Sequence, residues 1–173
     1  VLGFEQLEDR TVPSTFLVRD INPGPPFSSP GYFAEVNGTL FFSADDGNNG
    51  RELWKSDGTS TGTVLVKNIR AGSASSNPNS LINVNGTLFF VADDGTYGRE
   101  LWKSDGTSAG TVLVKDIRPG STWSSPARLS NVNGTLFFVA NDGSYGFELW
   151  KSDGTSSGTV LVKDIRTGSV DSS

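Results

Sequence analysis

Residues 87–93 read Thr-Leu-Phe-Phe-Val-Ala-Asp, which places Leu88, Phe90 and Ala92 on one side of an extended strand and Phe89 and Val91 on the other. A half-buried strand alternates apolar with polar positions, so apolar residues on both sides predict a strand covered on both faces. Just upstream lies a shorter apolar run, Leu81-Ile82-Asn83-Val84, separated from it by Asn85-Gly86. Asn-Gly between two apolar runs is the strongest short-range hairpin signal, because a type I′ turn needs positive φ at both central positions. A polar loop, residues 94–98, then leads into a third strand over 99–105 that carries Leu101 and Trp102. The chain turns again through 106–110 into a fourth strand over 111–117. The longest connector, residues 118–126, is rich in proline and serine and cannot be helical.

The whole pattern recurs at an offset of 48 residues without insertion or deletion. Its anchor is Glu-Leu-Trp-Lys-Ser-Asp-Gly-Thr, found three times: Glu52, Leu53, Trp54, Asp57, Gly58 and Thr59; Glu100, Leu101, Trp102, Asp105, Gly106 and Thr107; Glu148, Leu149, Trp150, Asp153, Gly154 and Thr155. A period of this length marks a repeat architecture. A single four-stranded sheet has nothing to cover both its faces, so each unit must be sandwiched between copies of itself. That predicts an all-β chain of tandem four-stranded antiparallel blades, a partial β-propeller of about three 48-residue repeats plus one extra strand. A sandwich or a β-solenoid is the alternative, the solenoid being the weaker because its rungs hold no two-residue hairpin. The divisions are 1–14 as a leader, 15–30 as an orphan outer strand and its linker, and repeats at 31–78, 79–126 and 127–173. Since the outermost strand of one blade connects to the innermost of the next, the long connector makes 81–84 innermost and 111–117 outermost. The next linker proline would fall just past residue 173, which reads as a partial chain.

Composition removes several functions. There is no cysteine and no histidine, hence no disulfide or thiolate chemistry and neither the commonest general base nor the commonest transition-metal ligand. A net charge of −5 and pI near 4.7 argue against nucleic acid as a partner. No apolar run approaches the length of a membrane-spanning helix, so no membrane insertion is expected. No cofactor is expected either.

The repeated acids read best as scaffold, because a catalytic residue is needed once. In this reading the carboxylates of Asp57, Asp105 and Asp153 accept backbone N–H bonds within their turns. Asp45, Asp46, Asp93, Asp94 and Asp142 are weak candidates for Ca²⁺, weak because no full ligand set accompanies them; loop formation is the better account. Asn37, Asn85 and Asn133 each open a glycosylation sequon that the hairpin turn explains better. Trp54, Trp102 and Trp150 are expected in the core between blades. Trp123 differs, an aromatic residue in one polar linker, with Phe27 and Ser75 at the matching positions. With Tyr97 and Tyr145, which share one loop position, it is the candidate for ligand contact, against the alternative of packing on the rim. Arg70, Arg118 and Arg166 are also in register, a weak carboxylate-binding set. Glu35 is the clearest carboxylate outside the repeat, and an enzyme reading would lean on it.

Glu-Leu-Trp-Lys-Ser-Asp-Gly-Thr, followed by Gly110-Thr111 in the middle copy, resembles the ELWxxDGT repeat family of bacterial, mostly secreted or surface-associated proteins, over residues 15–173. The resemblance implies a repetitive extracellular β-protein and no established reaction. Ser104, Asp105, Gly106 and Thr111 also bear a looser likeness to the Asp-box hairpins of sialidases. Residues 6–14 are similar to Leu-Glu-Pro/Asp-Arg sorting segments of bacterial surface proteins. The expected function is a non-catalytic binding or structural module, secreted or at the cell surface. Its partners would be protein or glycan, and self-association or further blades of a longer chain would complete its ring. The alternative is part of a propeller glycan hydrolase or lectin.

Overall fold

The computed structural model describes residues 15–24, 26–165 and 167, and in them it holds twelve strands and no helix. The strands are β1 (Gly31–Val36), β2 (Thr39–Asp45), β3 (Arg51–Ser56) and β4 (Val64–Lys67); β5 (Asn79–Val84), β6 (Thr87–Asp93), β7 (Arg99–Ser104) and β8 (Val112–Lys115); and β9 (Ala127–Val132), β10 (Thr135–Asn141), β11 (Phe147–Ser152) and β12 (Val160–Lys163). They form three antiparallel four-stranded sheets, each in simple sequence order. These are tandem blades that do not close into a ring among the described residues. The first strands of the blades, β1, β5 and β9, are neighbours across blades, which is the inner position expected of them.

Both faces of the middle blade are buried as the apolar pattern requires. Leu88, Phe90, Ala92 and Trp102 pack on Val36, Phe41, Leu53, Val66 and Ile69 of the first blade. On the other side Val84, Phe89, Leu101, Val114 and Ile117 pack on Leu136, Phe138, Ala140 and Trp150 of the third. Hairpin turns close β1 to β2, β5 to β6 and β9 to β10, with φ of 51° and 80° at Asn37 and Gly38, and nearly the same at Asn85-Gly86 and Asn133-Gly134. The turn asparagines then reach across the blades, Asn37 Nδ2 donating to Gly86 O at 3.3 Å and Asn85 Nδ2 to Gly134 O at 3.1 Å.

Two features differ from expectation. Residues 15–21, expected as an orphan outer strand, form no ladder; a strand needs a partner, and the described residues supply none beside it. The inner strands begin earlier than the apolar pattern indicates and carry a bulge, where Tyr32, Ser80 and Arg128 take φ of 55°, 54° and 56°. The leader 1–14 and Arg166 lie outside the described residues.

Candidate functional site

Every position of the repeated octapeptide has a structural task. In the middle copy Leu101 faces the third blade and Trp102 the first. The lysine of the first copy, Lys55, donates to Gly106 O of the next blade at 2.8 Å. Ser104 Oγ takes the N–H of Gly106 at 3.0 Å and donates to Thr111 Oγ1 at 2.7 Å, whose own hydroxyl proton goes to Thr107 O. Asp105 Oδ1 accepts the backbone N–H of Thr107 at 2.8 Å and its hydroxyl at 2.7 Å. The Thr107 hydroxyl bond, then its N–H, holds the Asp105 carboxyl below its ordinary range, and Asp57 and Asp153 repeat this with Thr59 and Thr155. Gly110 is fixed by space, since a Cβ there would fall on the Asp105 carboxylate.

The glutamate has the task least visible in sequence. Glu100 is fully buried, and its carboxylate accepts Ile117 N at 3.2 Å, Ser124 N at 3.0 Å and Ser124 Oγ at 2.5 Å. Glu52 holds Ile69 and Ser76 in the same way. The same linker serines pass their carbonyls forward, Ser76 O to Asp93 N and Ser124 O to Asn141 N. Each linker is thus stapled backward by a glutamate and forward by the next blade. Burial pushes the Glu100 carboxyl up to about 7 against these hydrogen bonds, and raises Glu52 as well.

The Asp-Asp-Gly loops likewise spend their oxygens locally. Asp45 Oδ1 accepts Gly47 N, Asp46 Oδ1 accepts Asn48 N and Asn49 N, and Asp94 Oδ1 accepts Thr96 N and Tyr97 N. Asp142 takes Ser144 N and Tyr145 N. Asp93 accepts Gly95 N and forms an ion pair with Arg70 at 3.2 Å. Arg118 lies over Gly143 at the equivalent boundary, where Asn141 stands in place of Asp93. Arg70 and Arg118 therefore each reach the next blade at its own boundary. Among the described residues no three acids group to hold a metal ion. Glu35, the carboxylate singled out as lying outside the repeat, accepts Gly38 N at 2.5 Å. Asn83 and Asn131 do the same for Gly86 and Gly134, so Glu35 is a repeat-equivalent hairpin residue.

What the scaffold does not consume collects at the mouth where the linkers cross. Trp123, half exposed at 50%, lies against Gly98 and has the Arg99 guanidinium 5.9 Å from its ring centre. A Cβ at Gly98 would strike the indole at Cδ1, so one edge of Trp123 packs on this glycine while part of the ring stays open. Tyr97 and Tyr145 are exposed on the loops of the same mouth. Between the first two blades a cleft of about 480 Å³ is lined by Ser29, Tyr32, Arg51, Asn77, Asn79 and Arg99. Arg51 Nη1 is tied to Ser29 O at 2.8 Å and Arg99 Nη2 to Asn77 O at 3.3 Å; neither arginine forms an ion pair among the described residues. Sequence reading missed this pair and Tyr32. The available signal was that positions 32, 80 and 128 read Tyr, Ser and Arg in repeats that otherwise match closely.

No protein-family model matches this chain, and no curated protein matches it. Among solved structures it is similar to a computationally designed protein, Ika8, at 14% identity over 82% of this chain, with a TM-score of 0.44; the chain spans 38% of that structure's length.

Proposed function

We propose that the chain is a non-catalytic binding module, secreted or at the cell surface, that engages a protein or glycan at the linker mouth. The observation that carries this reading is where the three copies differ. Strands β2, β3, β4 and their counterparts are nearly identical, whereas β1, β5 and β9 read GYFAEV, NSLINV and ARLSNV. The linkers vary as well, and Trp123 arises there. A repeat that keeps its three outer strands and varies its inner strand and linkers diversifies a contact surface. An indole and two tyrosines offer broad apolar faces at low entropic cost, and Arg51 and Arg99 add donors suited to a carboxylate-bearing ligand. Against an enzyme reading, the Asp and Glu side chains it would recruit, Glu35 and the repeated acids, hold turns and linkers.

Binding to arrayed glycans and peptides tests this, with the W123A/Y97A/Y145A triple variant as the control. Loss of the array signal in the variant, at unchanged melting temperature, supports the mouth as the binding surface. Binding that survives the triple substitution, or release of products from a glycan substrate, overturns the reading.

A further inference from the structure

Each internal blade boundary repeats one set of contacts, the rear of one blade meeting the front of the next. The third blade carries the rear set again as Val132, Phe137, Leu149, Val162 and Ile165, yet Val132 is 50% and Ile165 63% exposed. The first blade carries the front set as Leu40, Phe42, Ala44 and Trp54, with Leu40 39% exposed. Over that front lies the segment 15–21. Arg19 Nη1 donates to Thr63 O at 2.6 Å and Ser60 O at 3.4 Å. At the next boundary Lys67 reaches the equivalent Thr111 O at 2.8 Å and Ser108 O at 3.3 Å. Ile21 packs beside Phe42, Ala44 and Trp54, as Ile69 does against the second blade. The segment holds the place of a preceding outer strand, and an apolar groove of about 290 Å³, lined by Phe16, Leu17, Phe33, Leu40 and Phe42 among others, stays open beside it.

We propose that the front of the first blade docks the rear of the third blade of a second copy, and that residues 15–21 are a removable cap on this interface. The chain itself demonstrates the fit, since it packs these two faces together at both internal boundaries. An arriving third blade brings its own outer strand, β12, paired to β11 at Leu149, Trp150 and Lys151. The segment 15–21 has no strand partner, so the cap leaves and Lys163 takes the Thr63 and Ser60 carbonyls from Arg19. Two arcs of three blades make six, within the roughly four to eight that close a propeller. Two copies that each use both faces close on a twofold axis. One internal bond is missing at the new boundary: Asn83 and Asn131 donate to the preceding inner strand, and Glu35 in their place has nothing to donate. The association is therefore weaker than an internal boundary, and reversible.

Sedimentation velocity of the full chain over a concentration series tests the proposal. The expected result is a concentration-dependent dimer, several-fold tighter in the cap variant R19A/I21S and lost in V162D/I165D. The chain has no cysteine, so a second readout is direct. Mixing an S60C chain with a K163C chain and a short thiol-reactive bismaleimide should give the mixed cross-linked dimer, because Ser60 and Lys163 match the Ser108–Lys67 contact, which spans the length of a lysine side chain. A cap variant that remains monomeric, a cap variant that dimerises more weakly than the parent, or the absence of the mixed cross-link overturns the proposal.

Discussion

Glu100 shows how one side chain sets the position of an entire connector. Its carboxylate gathers three donors from residues 17 and 24 positions downstream, so the linker ends where those donors can reach. At pH 5, where the folded carboxyl holds its proton, glutamine puts an NH2 with two donors in place of a single O–H, so one amide N–H is left facing the linker donors. An unmatched buried N–H costs about 1–3 kcal/mol, and E100Q should lose that much in urea denaturation at pH 5. Gly110→Ala tests space instead of hydrogen bonding, since the new methyl collides with the Asp105 carboxylate and breaks its bonds to Thr107. Overpacking of this kind costs about 1–3 kcal/mol, and a variant as stable as the parent in the same assay would contradict the turn geometry.

At the level of strands and loops the energy lies between blades. Trp102 is buried against the rear of the first blade, and truncating it opens a large cavity, so W102A should cost about 3–5 kcal/mol by denaturant unfolding. Among the described residues its Nε1 finds no acceptor, and the same holds for Trp54 and Trp150. The indole therefore contributes packing alone, and W102F should retain more of the stability than W102A. The Asp-Asp-Gly loops use their carboxylates for their own backbone, so added calcium should leave the melting temperature within about a degree, as expected of an ion with no site to bind. The hairpins and the order of the strands were legible because Asn-Gly turns and two-faced apolar runs are local signals. The linker clamp was not, because a glutamate beside leucine and tryptophan reads as an exposed strand residue until its partners 24 residues away are known. The bulge at Tyr32, Ser80 and Arg128 was also hidden, since none of these residues favours positive φ.

For the whole molecule, blade stacking followed from a sequence argument: a sheet apolar on both faces needs neighbours, and the 48-residue period supplies them. The mouth carrying Arg51 and Arg99 needed coordinates, because its residues are brought together by blade packing and not by spacing along the chain. The buried glutamates and the exposed turn aspartates also pull the pH dependence of the whole fold in opposite directions. Folded Glu100 keeps its proton up to about pH 7, whereas its ordinary value is 4.5. Between those values the folded chain binds more protons than the unfolded one, so stability falls as pH rises. A difference of that size is worth about 3 kcal/mol, and Glu52, also raised by burial, acts in the same sense. Asp57, Asp105 and Asp153 are held below 3.8. Their contribution is present above the ordinary aspartate range and is lost as pH falls through their folded values. Stability should therefore peak in mild acid, between the two windows, and decline toward neutrality. Urea midpoints measured at pH 3, 5 and 8 check this: the highest is expected at pH 5, and E100Q should flatten the decline from 5 to 8. A midpoint that climbs from pH 5 to 8 would show that the glutamates enter the folded state already ionised, with the linker donors outweighing the cost of burying them.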